Sequence, residues 1–175
     1  MKVVISGYGK MGRMVEKVLA ERNICLAGWS EDIASFDRAV AAESVCIDFT
    51  TPQAFRQNYR ALASMFRAVV VGTTGWNDIE KEVRECFEAE GTTLIYASNF
   101  SVGVNIFFAA ADFISRKISV AGGYTPYILE KHHCHKLDAP SGTAKSIATI
   151  VESNIGGAQV DIQSVRAGEI PGIHT

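Results

Sequence analysis

Residues 7–12 read Gly-Tyr-Gly-Lys-Met-Gly, a G-x-G-x-x-G hexapeptide that follows the apolar run Lys2–Ser6 and opens a helical pattern over Lys10–Arg22. Three glycines at that spacing restrict what the chain can become. The first permits a tight turn, the second a close backbone approach to a pyrophosphate, and the third close packing of helix on strand. The helix N-terminus then presents free N–H groups and a partial positive charge to phosphates. A glycine-rich turn alone would be weak evidence. Its position between a strand and a helix is what favours dinucleotide binding.

The same strand–helix rhythm continues. The first helix places Met14, Val15, Val18 and Leu19 on one face, and Ile24–Trp29 reads as a second strand. Val45–Phe49 is a third, followed by a helix over Thr51–Phe66 in which Thr51 caps and Pro52 takes the first position. Ala68–Val71 and Thr93–Ala97 are a fourth and fifth strand flanking a charged helix, Asp78–Glu90. Strands joined by helices require right-handed crossovers and a parallel sheet covered on both faces. The expected fold class is α/β, a Rossmann-type parallel sheet domain over residues 1–102, followed by a smaller α+β domain over 103–175. That second part carries a helix at Val104–Ser115, a turn at Gly122-Gly123, an alternating strand at Tyr127–Cys134, a helix at Thr143–Ser153 and a strand at Gln159–Val165.

Composition narrows the function classes. The chain has 175 residues, 47% hydrophobic and 21% charged, with a formal charge of −2, so no overall basic field exists to hold nucleic acid. Cys25, Cys46, Cys86 and Cys134 are scattered without a C-x-x-C pair, which argues against a disulfide framework and for a reducing compartment. The longest apolar candidate, Val102–Ile114, is cut by Asn105 and Asp112, short of the ~18 residues a span needs. Gly7, Tyr8, Gly9 and Lys10 interrupt the opening apolar run, unlike a signal peptide. A cytoplasmic protein with neither a membrane nor a nucleic-acid partner is expected.

Several residues are placed for chemistry. An acid about 20 residues beyond the glycine loop would bind a ribose, and both Glu31 and Asp32 qualify, as does the reading of either as a solvated loop charge. No arginine adjoins them to take a 2′-phosphate, which favours NADH over NADPH, although Lys10 and Arg13 could supply that charge. Gly72-Thr73-Thr74-Gly75 and Ser98-Asn99-Phe100-Ser101 follow the fourth and fifth strands, at the edge where such sheets bind ligands, although taken alone they read better as ordinary turn chemistry. Glu130–Ala144 is the richest stretch, with His132, His133 and His135 close to Lys136. If the strand persists, His133 and His135 share one face and His132 shares the other with Glu130. Two histidines at that spacing lack an evident third ligand, so no metal site is expected. Ser141 can cap the following helix, leaving the N–H groups of Gly142 and Thr143 for a carboxylate.

With these motifs assembled, the chain resembles the 4-hydroxy-tetrahydrodipicolinate reductase (dihydrodipicolinate reductase) family of lysine and diaminopimelate biosynthesis. The resemblance rests on GYGKMG at 7–12, GTTGW at 72–76, NFSVGVN at 99–105, EKHHCHKLDAPSGTA at 130–144 and VRAGEIPGIHT at 165–175, in order. It implies reduction of a cyclic, imine-derived dicarboxylate by NADH or NADPH. It further implies His132 as general acid, with Lys136 assisting and holding substrate charge. His133, Ser141, Gly142 and Thr143 would then bind substrate carboxylates. Gly7, Tyr8, Gly9, Lys10, Met11, Gly12, Glu31, Gly72, Thr73, Thr74, Ser98, Asn99, Phe100 and Ser101 would line the cofactor site. The family's members continue beyond the position of Thr175 and form homotetramers, so a homo-oligomer is expected. A dinucleotide-binding protein with impaired catalysis is the alternative. An aldehyde dehydrogenase would need a nucleophilic cysteine, and the nearest candidate, Cys134, reads as a strand residue beside the histidines.

Overall fold

The computed structural model describes residues 1–156 and 159–175, which form two compact units, Met1–Ser98 and Asn99–Thr175. In the first, strands β1 (Lys2–Ser6), β2 (Cys25–Ser30), β3 (Ser44–Asp48), β4 (Ala68–Val71) and β5 (Thr93–Tyr96) build one parallel sheet in the order β2-β1-β3-β4-β5. Helices α1 (Lys10–Glu21), α2 (Arg38–Ala42), α3 (Pro52–Met65) and α4 (Glu80–Glu90) connect the strands. Strand β1, inside the sheet between β2 and β3, is buried from Val3 to Ser6, as a strand covered on both faces must be. One face packs Val3 and Ile5 against Leu19 and Val15 of α1. The other packs Val4, Cys46, Val69 and Val71 against Phe55, Tyr59 and Leu62 of α3 and Val83 and Phe87 of α4. Each large side chain buried this way contributes roughly 1.5–3 kcal/mol.

The local chemistry explains the element starts. Thr51 accepts from the Ala54 N–H at 3.2 Å with Pro52 at the first helical position, and Gly91 closes α4 at φ +68°. Asp37 caps α2 through Ala39 and Val40, a five-residue helix too short to show periodicity in the sequence.

The second unit holds α5 (Val102–Ala121), β6 (Tyr127–His132), α6 (Gly142–Asn154), β7 (Asp161–Arg166) and β8 (Ile173–His174). Its sheet runs β7-β6-β8, parallel on one side of β6 and antiparallel on the other. Ile128 and Val160 meet Ala144, Ile147 and Ala148 of α6 in its core, with Phe108 and Ala111 of α5 packed beside them. Asn154 ties α6 to α5 by donating to Asp112 Oδ1 and Ser115 Oγ, both at 2.9 Å. No helix among the described residues is long and apolar enough to cross a membrane.

Three expectations change. On α1 the buried stripe is Gly12, Val15 and Leu19, while Met14 and Val18 face solvent, because the glycine sets which side lies on the sheet. Helix α5 continues past Ser115 to Ala121 and stops at Gly122, whose φ is +69°. Strand β6 ends at His132, so His133, Cys134 and His135 occupy a turn and the predicted sharing of a strand face does not occur.

Candidate functional site

In the first unit the chain reverses its direction of winding between β1 and β3, which opens a crevice at the carboxyl ends of those strands. The glycine loop stands there. Gly7 adopts φ +85°, and a Cβ on it would lie 2.5 Å from the Phe49 carbonyl oxygen. A Cβ on Gly12 would collide with the Gly7 carbonyl, which is the close helix–strand packing this glycine provides. Gly9 differs, since a Cβ there would meet no atom within 4 Å. Gly9 precedes α1 as its N-cap and offers no side-chain cap, leaving the first-turn N–H groups, including those of Lys10 and Met11, without a helical partner. The arrangement fits a pyrophosphate.

Of the two candidate ribose acids, Glu31 is the one joined to this loop, accepting from the Tyr8 N–H at 2.8 Å. Asp32 instead opens a 3-10 turn through its carbonyl, which accepts from Ser35. The Tyr8 ring stacks on Trp29 at 4.2 Å, its hydroxyl donates to Glu16, and the Arg13 guanidinium lies 5.7 Å from the ring centre.

Behind the loop, Asp48 is fully buried and accepts from Ser6 Oγ at 2.6 Å, Thr73 Oγ1 at 2.5 Å and Thr50 Oγ1 at 3.2 Å. Burial pushes its carboxyl up, against the pull of those hydroxyls. Thr73 is therefore occupied: its hydroxyl serves Asp48 and the Thr50 N–H, and its carbonyl accepts from Trp76 Nε1 at 2.6 Å. It holds the Gly72–Gly75 loop in place, while Thr74 is exposed. Gly72 has no room for a side chain, because Phe49 fills that space. Ser98 ends the first unit. Asn99, Phe100 and Ser101 open the second, where Ser101 caps α5 at Val104, Asn99 Oδ1 accepts from the Ser101 N–H at 2.8 Å, and Phe100 is exposed.

The second unit assembles the histidine–lysine segment into one chain of contacts. Glu130, with no exposed surface, accepts from Arg166 Nη2 at 2.7 Å. Its other oxygen lies 2.5 Å from His132 Nδ1, a close contact without hydrogen-bond geometry. Burial would raise the Glu130 carboxyl, but Arg166, Ser164 and His132 hold it down at about 2. The His132 ring meets His174 edge-on at 5.1 Å, and His174 Nε2 lies 3.0 Å from Ser141 Oγ. Burial, and then the neighbouring His132, lower the His174 imidazole. At the other end, Arg166 donates to the Asp138 carbonyl at 2.6 Å, and Asp138 Oδ1 accepts from Lys136 Nζ at 2.6 Å. The contacts thus run unbroken from Lys136 to Ser141.

Ser141 also caps α6 by accepting from Ala144, so Gly142 and Thr143 keep their N–H groups free of helix bonds, and a Cβ on Gly142 would meet nothing within 4 Å. Gly172 packs close beside His132 Nε2: a Cβ there would lie 3.1 Å from that nitrogen and crowd the ring edge, so only glycine leaves this space unfilled. His133 is half-buried with Nδ1 unpaired among the described residues, and its ring stands 6.0 Å from that of His135. Glu130, Arg166 and His174 were missed as site residues. The available signal was a charged residue inside an alternating strand, which a buried position must pair.

Family models agree with this division of labour along the chain. Residues 1–100 match the model described as dihydrodipicolinate reductase, N-terminus, and residues 103–175 the model described as dihydrodipicolinate reductase, C-terminus. A relative named 4-hydroxy-tetrahydrodipicolinate reductase from Christiangramia forsetii is 36% identical over 187 residues, spanning 100% of this chain and 78% of that protein. One of the same name from Paraburkholderia phymatum is 31% identical, spanning 100% and 81%. Among solved structures, the dipicolinate-bound dihydrodipicolinate reductase of Paenisporosarcina superposes with a TM-score of 0.66 at 24% identity, over 99% of this chain and 81% of that one. Aspartate semialdehyde dehydrogenase II of Vibrio cholerae shares the fold at a TM-score of 0.53 and 12% identity, over 99% and 70%.

Proposed function

The chain belongs to the dihydrodipicolinate reductase family, and from that membership we propose that it reduces 4-hydroxy-tetrahydrodipicolinate to tetrahydrodipicolinate with a reduced nicotinamide dinucleotide. The observation that carries the reading is His132, held between buried Glu130 and His174 in the unit that also bears the open N-terminus of α6. The first unit binds the dinucleotide: the uncapped start of α1 at Gly9, Lys10 and Met11 receives the pyrophosphate, and Glu31 receives a ribose. An acid at that place repels a 2′-phosphate, which favours NADH. When bound, the reduced nicotinamide supplies the hydride.

The remaining work falls to the chain's own side chains. Loss of water leaves a C=C bond conjugated with the C=N. As a hydride bonds to the far carbon of that system, the C=C pair shifts to form a double bond to the C=N carbon and the C=N pair moves to nitrogen. A tautomer of the product results once that nitrogen gains a proton. His132 supplies it from Nε2, the ring atom beside Gly172, while Nδ1 stays against Glu130 and fixes the ring. The neighbouring carboxylate stabilises the imidazolium that donates. Lys136 and the N–H groups of Gly142 and Thr143 hold the two carboxylates, with Ser141 and His133 beside them, in keeping with a relative that was solved with dipicolinate. Replacing His132→Gln should lower turnover by at least ~10²-fold while NADH binding, read by its fluorescence, is unchanged. Unaltered turnover would remove His132 from the reaction.

A further inference from the structure

The turn after β6 and the turn after β7 are laced together by backbone, with Ala167 N–H donating to the His132 carbonyl and Cys134 N–H to the Gly168 carbonyl, both at 3.0 Å. That lacing brings three exposed side chains to one point. Cys134 Sγ lies 3.5 Å from His135 Nε2, Glu169 Oε1 lies 3.1 Å from the same nitrogen, and the three atoms all fall within 4.8 Å of one another. A single ring nitrogen has one lone pair or one N–H, so it can satisfy the thiol or the carboxylate but not both. A cation facing all three resolves the conflict.

The spacing identifies the class of cation. Zinc holds thiolate sulfur at about 2.3 Å and imidazole nitrogen or carboxylate oxygen at about 2.0–2.2 Å, so tetrahedral angles put sulfur and nitrogen about 3.6 Å apart and nitrogen and oxygen about 3.3 Å apart. The observed separations match these within a few tenths of an ångström. Thiolate with imidazole selects zinc-like ions over magnesium or calcium. The other grouping of possible ligands, Glu130, His132 and His174, already has the Arg166 guanidinium on its carboxylate.

We propose that Cys134, His135 and Glu169 form a site for a zinc-class divalent cation, with its fourth position open to water. The ion cross-links the two turns next to Lys136. The site stands independently of the reductase reading, since it uses none of the residues assigned to substrate or dinucleotide.

The full chain, freed of metal by a chelator, is titrated with zinc alone and separately with cobalt(II). One equivalent should bind, cobalt should show thiolate-to-metal charge-transfer absorption, and zinc should protect Cys134 from iodoacetamide. Cys134→Ser should abolish the absorption, and both it and Glu169→Gln should weaken zinc binding by ~10-fold or more. All three ligands are exposed, so these variants leave the core intact. Binding only at millimolar zinc would overturn the site. So would cobalt absorption that survives Cys134→Ser, or binding that is lost in His174→Asn instead.

Discussion

Gly9 and Gly12 stand three residues apart in the same motif and answer to different constraints. A side chain at Gly12 runs into the backbone of Gly7, so Gly12→Ala should force the loop and the helix apart, lowering stability by about 1–3 kcal/mol along with NADH affinity. A side chain at Gly9 enters vacant space, and its backbone angles of −76° and −154° suit alanine. Gly9→Ala should therefore melt near the parent, losing at most about 1 kcal/mol through poorer capping, yet bind NADH at least ~10-fold more weakly. Paired thermal melts and NADH titrations separate the two. Equal loss of stability in both variants would contradict the open cradle. The motif announces all three glycines, but only the coordinates distinguish the one kept for packing from the one kept for a ligand. Glu31 and Asp32 repeat the lesson, because adjacent acids look alike in sequence until one is found on the Tyr8 N–H and the other in a turn.

Among the elements, α6 joins stability to recognition. Ser141→Ala removes both its cap on Ala144 and the partner of His174 Nε2, and should cost about 1 kcal/mol in chemical denaturation. It should also raise the substrate KM more than it lowers kcat, since the hydroxyl stands beside the carboxylate-binding end and not on the reacting nitrogen; a kcat loss alone would place Ser141 elsewhere in the reaction. The parallel sheet was readable because strands buried on both faces are apolar runs bounded by glycine, proline or a cap. Strand β4 matches its expected bounds, and Thr51 with Pro52 marks the start of α3. Beyond β5 local pattern is a poorer guide to the chain's path. The alternation of β6 runs on in the sequence through Cys134 although the chain turns after His132. Strand β8, at two residues, has no period at all, yet it delivers His174 to His132. The burial of Glu130 depends on Arg166, on the neighbouring strand, and no local pattern encodes that pairing.

At the scale of the whole molecule, stability should follow the ionisation of these buried groups. Glu130 titrates at about 2 in the folded chain against an ordinary 4.5, so its contribution is present above pH 4.5 and lost as pH falls from 4.5 towards 2. His174, lowered from 6.5, adds a loss that begins as pH falls through 6.5, because the folded state resists the proton that the unfolded chain accepts. Asp48, raised above 3.8, acts in the opposite sense and partly offsets the acid loss. Urea midpoints measured from pH 7 to pH 3 should therefore decline in two stages, and Glu130→Gln should shrink the lower one, to which Asp138 also contributes; a flat profile would contradict the pairing. Lys136 carries a consequence for binding. Its ammonium is already answered by Asp138, which leans on Arg166, which leans on Glu130. An incoming carboxylate must displace an incumbent there, and a trade of one anion for another nearly breaks even. The second carboxylate, arriving at vacant N–H groups of Gly142 and Thr143, displaces only water. The vacant end therefore supplies most of the grip on an acid group, and the occupied seat at Lys136 orients a second one more than it tightens the hold.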